Sequence, residues 1–437
     1  MMLSSLVMNR AGPPPSRFPQ CLRQGVQTAQ SGQTVVLVTM ILTVLLACVS
    51  VASDFGLFEN DRRKMQNAAD SAAMAGEQEV NAGNADQAVS AAKNDAALNS
   101  YTDGVGGITV TVNNPPLSGP HSGDLNAVEV IVSRVKSTTL LKFVGISSIN
   151  LAARAVAIEG NAPYCIMALN PTATNSLSLF GAALLQTCAI VDDSNASTAF
   201  GIFGVALWHA SSIGIVGGYD FDLLPFVSPK PVTGIAPVKD PLASLRAPTV
   251  GSNCDHTNYS VGPIGIGTLS PGVYCGGITI TGAAILHLQP GTYILRGGGL
   301  NVLGLSVMTG TGVTFYLSGD STYPYAGVNI LAATVNSLVA PTSGALEGIL
   351  FFQDRNISAA TAAANPNTIV GASLARYEGA FYFPTTKLNY TINASVAAYT
   401  ALVADTININ LVAAGSVNND YSSLADGSPL KAATLAE

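Results

Sequence analysis

The stretch that decides the fold runs from Thr34 to Ser53, TVVLVTMILTVLLACVSVAS, and contains no charged residue. At about 1.5 Å of rise per residue, roughly 20 apolar residues cross the hydrocarbon core of a bilayer. Basic residues precede the run, and no acidic residue occurs before Asp54. We therefore predict a transmembrane helix over residues 31–53, with a disordered cytoplasmic tail at 1–30 and the rest of the chain outside the cytoplasm.

Two kinds of cleavage would remove this helix. Small residues at 50–52 are typical of a signal-peptidase site. Residues 45–48, Leu-Leu-Ala-Cys, resemble a lipoprotein site, which would leave an acylated Cys48 at the new N-terminus. The simpler interpretation of Cys48 is a small apolar residue within a membrane helix. Cys21 is a candidate acylation site or an inert thiol. The sequence leaves retention and cleavage of the helix open.

The composition argues against two classes of function, nucleic-acid binding and cytosolic catalysis. Only 10% of the 437 residues are charged and the net charge is -7, so no basic patch favours nucleic acid as a partner. So low a charged fraction is also unlike a cytosolic enzyme with a salt-bridged surface. The chain is long enough for two or three domains and a sizeable core.

Four of the six cysteines follow the predicted membrane helix, in a compartment where disulfides persist. We predict that sequence neighbours pair, Cys165 with Cys188 and Cys254 with Cys275, although four cysteines allow three connectivities. Each pair would close a loop of roughly twenty residues, worth about 3 kcal/mol in the chain-entropy model. No cysteine or histidine spacing matches a zinc site, and we predict no metal and no cofactor.

Residues 54–160 predict an α+β headpiece. Apolar and alanine residues recur at helical spacing from Leu57 to Ala73 without a proline, so the membrane helix is expected to continue beyond the bilayer. Later segments alternate between helical and strand periodicity. In order they predict a helix, two strands, a short helix and a third strand, at residues 85–98, 108–112, 128–132, 138–145 and 148–160.

The segment 30–76 resembles the N-terminal domain of TadG-like Flp (tight adherence) pilus-assembly proteins. That family shows a Gly-Gln start, a membrane run ending in Asp, a basic cluster and a Leu-Gln-Asn-Ala-Ala-Asp-like stretch. Residues 135–157 also resemble the region C-terminal to this stretch in such proteins. Met65 stands here in place of the usual leucine. The matching residues are Gly32, Gln33, Asp54, Arg62, Arg63, Gln66, Asn67, Ala68, Ala69 and Asp70.

The resemblance implies a bacterial inner-membrane protein with a cytoplasmic N-terminus and a periplasmic or surface-exposed bulk. Its expected partners are the membrane and other pilus-assembly or envelope proteins, and the resemblance implies no catalysis. Pilins are cut after a glycine with a glutamate shortly following. Gly25 and Gly32 are available, but the next acidic residue is Asp54, so ordinary pilin processing is not expected.

Residues 161–437 predict a large, mostly β domain. Residues 271–280 echo residues 290–302 at an offset of 19 residues, about one turn of a β-solenoid. We expect a right-handed parallel β-helix, and irregular strand spacing leaves a β-sandwich or jelly roll as the alternative. Gly297 to Gly299 predict tight corners rather than a phosphate loop, because no lysine-bearing helix comes after them.

Candidate catalytic groups in this domain are few. Asp192 and Asp193 are adjacent, so on a strand they would face opposite sides, and we expect a solvated turn pair. Asp354 beside Arg355 predicts a turn cap or an ion pair at a strand end. The four histidines, His121, His209, His256 and His287, are well separated in sequence, and of these we expect His287 to face out of the solenoid. The aromatic candidates are either platforms for sugar stacking or, as is more usual in strands, core residues: Trp208, His209 beside it, Phe351, Phe352, Phe381, Tyr382 and Phe383.

The sequence supports three hypotheses of function and assigns no catalytic residue. The favoured one is a non-enzymatic, membrane-anchored component of Flp pilus assembly or adhesion that works through protein contacts. The second is a membrane-tethered β-helix that binds or cleaves a polysaccharide or other surface ligand, which for cleavage needs two converging carboxylates. The third is a lipoprotein adhesin released by cleavage before Cys48.

Overall fold

The computed structural model describes residues 31–205, 207–219, 227–331, 336–371, 375–393 and 397–437, with only the backbone at 31–33 and 144. The predicted cytoplasmic tail and Cys21 lie outside the described residues. The chain divides into two compact units. The first holds the N-terminal part up to Glu59 together with Ser137–Ile149, and the second holds Asn60–Lys136 and Asn150–Glu437.

A single α-helix, α1, runs from Ser31 to Asn81 without a break. The sequence explains its length, because no proline interrupts it and its residues are mainly alanine, leucine, methionine and charged or amide helix formers. Its most apolar window has a mean hydropathy of 2.8 and no buried residue, so the helix is long and apolar enough to cross a membrane. The long apolar N-terminal helix predicted from the sequence is confirmed.

The remaining elements alternate as their periodicity predicts in the headpiece and then become almost entirely strands. Two further helices are α2 (Ala88–Leu98) and α3 (Ala359–Ala364), and short 3₁₀ turns occupy Ala85–Gln87 and Leu141–Val144. The described strands are β1 (Ile108–Asn113), β2 (Ala127–Ser137), β3 (Ser148–Asn161), β4 (Tyr164–Ala168), β5 (Leu177–Gly181), β6 (Leu184–Thr187), β7 (Ala189–Asp192), β8 (Phe200–Gly204), β9 (Leu207–His209), β10 (Ile213–Ile215), β11 (Val227–Ser228), β12 (Val232–Thr233), β13 (His256–Val261), β14 (Ile266–Leu269), β15 (Gly272–Ile280), β16 (Ile285–Leu288), β17 (Gly291–Arg296), β18 (Leu300–Val302), β19 (Val307–Thr311), β20 (Val313–Ser318), β21 (Val328–Ile330), β22 (Ser337–Val339), β23 (Ile349–Gln353), β24 (Asn367–Val370), β25 (Arg376–Ile392), β26 (Thr400–Leu411), β27 (Gly415–Val417) and β28 (Lys431–Leu435).

The headpiece sheet has the order β1-β2-β3-β28. Alternating valines of β1 and β2 face the helices, with Val110 opposite Val132. Small side chains let helix and sheet approach closely: a Cβ added at Gly76 would lie 3.0 Å from a methyl group of Val128. The buried core combines these valines with alanines of α1 and α2: Ala68, Ala69, Ala72, Ala73, Ala88, Ala92 and Ala96.

The fourth strand of this sheet comes from the far end of the chain. β28 pairs antiparallel with β3, with Ala433 opposite Glu159. The sequence analysis assigned every residue after 160 to the β domain, whereas β28 lies in the headpiece sheet. A five-residue edge strand carries almost no periodicity, so the sequence gives no signal of its partner.

The large domain is a stack of parallel strands, and the parallel β-helix-like architecture predicted from the sequence is confirmed. The described ladders among β4–β27 are parallel, which excludes the sandwich alternative for this part of the chain. A row of rings runs through the core from rung to rung, with neighbouring centroids 5.1–6.1 Å apart. Its members are Tyr259, Tyr274, Tyr293, Phe315, Phe351 and Phe381.

The predicted repeat of 19 residues holds between some rungs and not between others. Ile266 pairs with Ile285 at that offset, whereas Ile278 pairs with Leu300, 22 residues on. One extra glycine accounts for part of this difference in offset. The corner at 276–277 has two glycines and stacks on a corner with three, at 297–299, and all five have positive φ. The next rungs carry longer insertions, with Phe315 paired to Phe351, and the last rungs return to short offsets, with Leu388 paired to Ile407. This variation in rung length explains the irregular strand spacing, which was the reason for keeping a β-sandwich as the alternative.

The rungs do not stack in chain order. β26 pairs with β4 and β5, so the first strands of the domain lie next to its last long strand. β12 pairs with β10 and β13 with β15. Residues 234–255, the crossover segment, connect β12 to β13 and carry the chain from one end of the stack to the other.

Both described disulfides fasten neighbouring parts of this stack. Cys165 is paired with Cys188 and Cys254 with Cys275, with Cα atoms 5.9 and 5.6 Å apart. The first joins β4 to the residue before β7, and the second joins the end of the crossover segment to β15. Cys48 is a free, exposed cysteine on α1.

We predict that the double substitution Cys254→Ser and Cys275→Ser loosens the crossover segment. The lost bond closes a loop of about twenty residues, worth roughly 3 kcal/mol in the chain-entropy model. Limited proteolysis should cut within residues 234–255 faster than in the native protein, and the thermal midpoint should fall. Cys48→Ser, which removes a free thiol, is the control. An unchanged cleavage rate in the double variant would contradict this role of the bond.

Candidate functional site

In the first unit, the carboxylate of Asp54 holds a neighbouring segment against α1. The side chain is 1% exposed, and it accepts backbone N–H groups from Thr139 (3.2 Å), Leu140 (2.9 Å) and Leu141 (2.7 Å). These N–H groups begin the 3₁₀ turn Leu141–Val144, whose first donors have no partner within the turn itself. An acidic residue directly after the apolar run is therefore a structural anchor.

In the second unit, Gln66 connects α1 to the headpiece sheet. Its amide nitrogen donates to Asp70, one turn along the helix (2.7 Å), and to the backbone carbonyl of Arg154 on β3 (2.9 Å). Ala68 and Ala69 are fully buried in the helix–sheet core. These motif residues thus set how closely, and in what register, α1 lies on the sheet.

Arg154 itself closes a polar network on the sheet. It donates to Glu129 (2.6 Å) and to the carbonyl of Ser118 (2.7 Å), and it pairs with Glu437. Burial of Glu129 by itself would raise its pKa, but Arg154, two further side chains and the N–H of Leu117 together hold the pKa below its ordinary value. The C-terminal residue is therefore part of the headpiece.

Some residues of the motif are exposed on α1 rather than packed against the sheet. Asn67 is exposed, and so are three neighbours on the same helical face, Asn60, Arg63 and Lys64. Spacings of three, four and seven residues place them in one stripe along the helix. We call these four residues the polar stripe.

The comparison with known families covers this part of the chain. Residues 32–94, from Gly32 and Gln33 through most of α2, match the family described as "Putative Flp pilus-assembly TadE/G-like". This match confirms the resemblance of the N-terminal segment to TadE/G-like proteins that the sequence predicts. The match covers less than half of the chain and ends before residues 135–157 and before the β domain. No curated protein matches the chain.

Outside the TadE/G-like segment, Asp192 and Asp193 do not form a solvated pair. Asp192 is fully buried, and its Oδ1 accepts the hydroxyl of Ser176 (2.5 Å) and the N–H of Ser194 (3.1 Å). The expectation of a solvated turn was wrong, because the strand continues through Asp192 and turns that side chain inward. Asp193 accepts the N–H of Val238 (2.8 Å) from the crossover segment.

Arg355 also fastens the crossover segment. It donates to the carbonyl of Leu245 (3.0 Å), to that of Leu242 and to the hydroxyl of Tyr382 (2.8 Å). Asp354 instead accepts the N–H of the residue two positions on, which is the turn cap expected from the sequence. Asp354 and Arg355 therefore make separate contacts within the fold and do not form a joint substrate site.

The other candidates take core or outward positions. Trp208 is buried and donates to Thr187 (3.0 Å), and the phenylalanine and tyrosine candidates at 351, 352 and 381–383 are buried. His209, His256 and His287 are exposed, and His121 is half-buried. Within the described ranges, no three His, Cys, Asp or Glu residues come together in a way that could hold a metal ion.

Two glutamates on α1 were missed by the sequence analysis. Glu77 is fully buried, and burial, with the nearby charge of Glu159, raises its pKa to about 8. Glu79 forms an ion pair with Lys239 of the crossover segment. Nothing in an alanine-rich helix distinguishes a glutamate that will be buried from one that stays in water.

We predict that Asp192→Asn stabilises the protein above pH 6 but not near pH 4. Burial, with the adjacent Asp193 charge, raises the pKa of Asp192 to about 6. A raised folded-state pKa means that stability is full below the unfolded value, near 4, and falls as pH rises through 6. The ionised form costs about 2–3 kcal/mol at neutral pH, which the amide avoids.

Thermal midpoints of the two proteins measured from pH 4 to pH 8 would test this. The midpoints should separate as pH rises, with the amide variant the more stable. Asp426→Asn, which changes an exposed carboxylate, is the control. A variant that is less stable than the native protein throughout this range would contradict the prediction.

Proposed function

We propose that the chain is a membrane-anchored, non-enzymatic component of Flp pilus assembly that acts through protein–protein contacts. The TadE/G-like match supports a part in pilus assembly, and the polar stripe supports the contact mechanism. Asp54, Gln66, Ala68, Ala69 and Asp70 each have a packing or anchoring role within the chain. Asn67, in the middle of the same motif, is exposed, which is what a residue reserved for a partner requires.

The stripe also fits a partner by its charge. Arg63 and Lys64 are adjacent, exposed and basic in a chain whose net charge is -7. Cationic and amide groups on a rigid helix suit an acidic or amide-rich helix of another envelope protein. We therefore place the docking surface for other pilus-assembly proteins on α1, beyond the membrane-spanning part.

The β domain would serve as a rigid external module. Most of the headpiece, at residues 60–136 and 150–160, shares the second compact unit with the β domain, and within this unit β28 returns to the headpiece sheet and Lys239 pairs with Glu79. A contact made at the stripe would thereby fix the position of the whole β stack. This proposal includes a retained α1, a cytoplasmic N-terminus and a periplasmic or surface-exposed β domain in a bacterial inner membrane.

We predict that charge reversal of the stripe, Arg63→Glu with Lys64→Glu, abolishes pilus assembly while leaving the protein in the membrane. Both side chains are exposed, so folding and insertion should be unchanged. Piliation would be scored by electron microscopy and adherence, and protein level by immunoblot of membrane fractions.

The matched control is Lys230→Glu with Arg246→Glu, the same change of charge at exposed positions away from α1. Normal piliation with the stripe variant, at native protein levels, would overturn the proposed docking surface. Loss of piliation with the control variant as well would show that overall charge, and not the stripe, is responsible.

A second candidate function, binding of a polysaccharide or other surface ligand, has one observation in its favour. The β domain carries a groove of about 530 Å³ between α3, β25 and β26. Polar side chains align along the rungs beside it, with Asn408 donating to Asn389 (3.2 Å) and accepting from Ser178 (2.5 Å). Amides and hydroxyls in register are suitable partners for sugar hydroxyls.

The catalytic form of this second candidate has little support. Asp192, Asp193 and Asp354 are each committed to different contacts within the fold. Glycoside hydrolysis needs two carboxyl groups about 5–10 Å apart on one cleft. Among the described residues that line the groove, Asp405 is the one carboxyl group, which favours binding over cleavage.

We predict that, if the groove binds sugars, Asn389→Ala with Thr406→Ala weakens binding at least tenfold. Immobilised dextran and alginate are suitable probes, because one is neutral and the other is a uronate polymer that could engage the groove's Lys387. His287→Ala, an exposed polar change elsewhere on the stack, is the control. If the native protein binds neither dextran nor alginate, this candidate function loses its support for neutral and uronate polysaccharides.

A further inference from the structure

The segment Thr138–Ser147, which connects β2 to β3, is attached to α1 at the end of the apolar run. Asp54 directly follows the run and accepts the N–H groups of residues 139, 140 and 141. Leu141 is buried against this contact, with 9% of its surface exposed. We call this segment the juxtamembrane loop. Its level along α1 is fixed by a carboxylate at the boundary of the apolar surface.

Most backbone N–H groups of the loop have acceptors within the first unit. In addition to the three N–H groups bound by Asp54, Phe143 donates to Leu140 (3.1 Å) and Ile146 to Leu141 (3.2 Å). The N–H groups of residues 138 and 145 also have acceptors inside the loop. Unpaired backbone groups are the main cost of moving a non-helical segment out of water, and most N–H groups of this loop do not add to that cost.

The tip of the loop is apolar and exposed. Phe143 is 80% exposed and Ile146 is 46% exposed. Lys142 lies beside them, with its Nζ 5.5 Å from the centre of the Phe143 ring. An exposed aromatic ring next to a lysine is the combination that suits the boundary between acyl chains and headgroups, because the lysine can extend toward phosphate while the ring stays among the chains.

We propose that the juxtamembrane loop inserts Phe143 and Ile146 into the boundary between acyl chains and headgroups, on the side where α1 leaves the bilayer. Two observations favour lipid over a protein partner. The apolar surface of α1 is exposed along its whole length up to Ser53, and Asp54 fixes the loop at the end of that surface. A loop held at this level contacts lipid whenever α1 spans the bilayer.

Such an insertion would restrict the orientation of α1 in the bilayer. A single helix can tilt and rotate, whereas a second apolar contact beside the helix restricts both motions. The inference concerns lipid contact only, so it stands or fails independently of any pilus partner.

The test uses the full-length protein in phosphatidylcholine vesicles and the substitution Phe143→Trp. Trp208 is the one native tryptophan of the chain and is fully buried in the β domain, so it supplies a constant background. Emission of the introduced indole should be quenched several-fold more strongly by acyl-brominated phosphatidylcholine than by aqueous iodide. Leu117→Trp, at a position that is 73% exposed on a headpiece loop, is the matched control and should show the reverse order.

A second variant tests the attachment. Asp54→Ala in the Phe143→Trp background removes the acceptor of three N–H groups, so quenching by brominated lipid should fall and quenching by iodide should rise. Strong iodide quenching at position 143 in the otherwise native protein would overturn the proposal. Protection from both quenchers would also overturn it, because it would place the tip against protein, such as a second copy of the chain.

Discussion

Close contact between the alanine face of α1 and the valine face of the headpiece sheet is the constraint on which the rest of the structure depends. Alanine and glycine at this contact let the sheet approach the helix closely. At Gly76, even an added Cβ would lie only 3.0 Å from a methyl group of Val128. Before Asp54 the same helix is apolar on every side, and its residues 34–53 are exposed apart from the half-buried Ser50. One continuous helix therefore meets two environments, and the charged residues from Asp54 onward mark the change from one to the other.

The β domain meets a different constraint, because a single rung cannot bury its own apolar face. Each rung becomes stable only by stacking on neighbours, and the aromatic row through the core records that stacking. The order of stacking is nevertheless not the order of the chain, since β26 lies next to β4 and β5. Because of this order, the crossover segment has to carry the chain between the ends of the stack. Asp193 and Arg355 hold this segment against the stack.

This topology changes the interpretation of residues that resemble a catalytic set. Carboxylates and an arginine in a β-helix suggest sugar chemistry, but here they complete backbone hydrogen bonds that no strand provides. The same holds for Asp54 in the TadE/G-like segment, whose carboxylate completes the start of a 3₁₀ turn. The residues that remain for contact with other molecules are the exposed ones, above all Asn67, Arg63 and Lys64 on α1 and Phe143 on the juxtamembrane loop.

By itself, the sequence determined the features that depend on local pattern. The apolar run, the unbroken α1, the alternating strands of the headpiece and the resemblance of residues 30–76 to TadG-like proteins all depend on residue type and spacing over short distances. The β-helix-like character of the large domain arises in the same way, from short strands punctuated by glycine. The echo between residues 271–280 and 290–302 gave a first estimate of the rung length.

Only the tertiary structure decided the features that join distant parts of the chain. The return of β28 to the headpiece, the placement of β4 after β26 and the burial of Asp192 each depend on a partner far away in sequence. The register of a strand in a stacked sheet depends on the neighbouring rung. One extra glycine at a corner shifts this register by one residue, although the sequence pattern of each strand stays the same. Local pattern fixes what each element is, whereas the burial available at long range fixes where it goes.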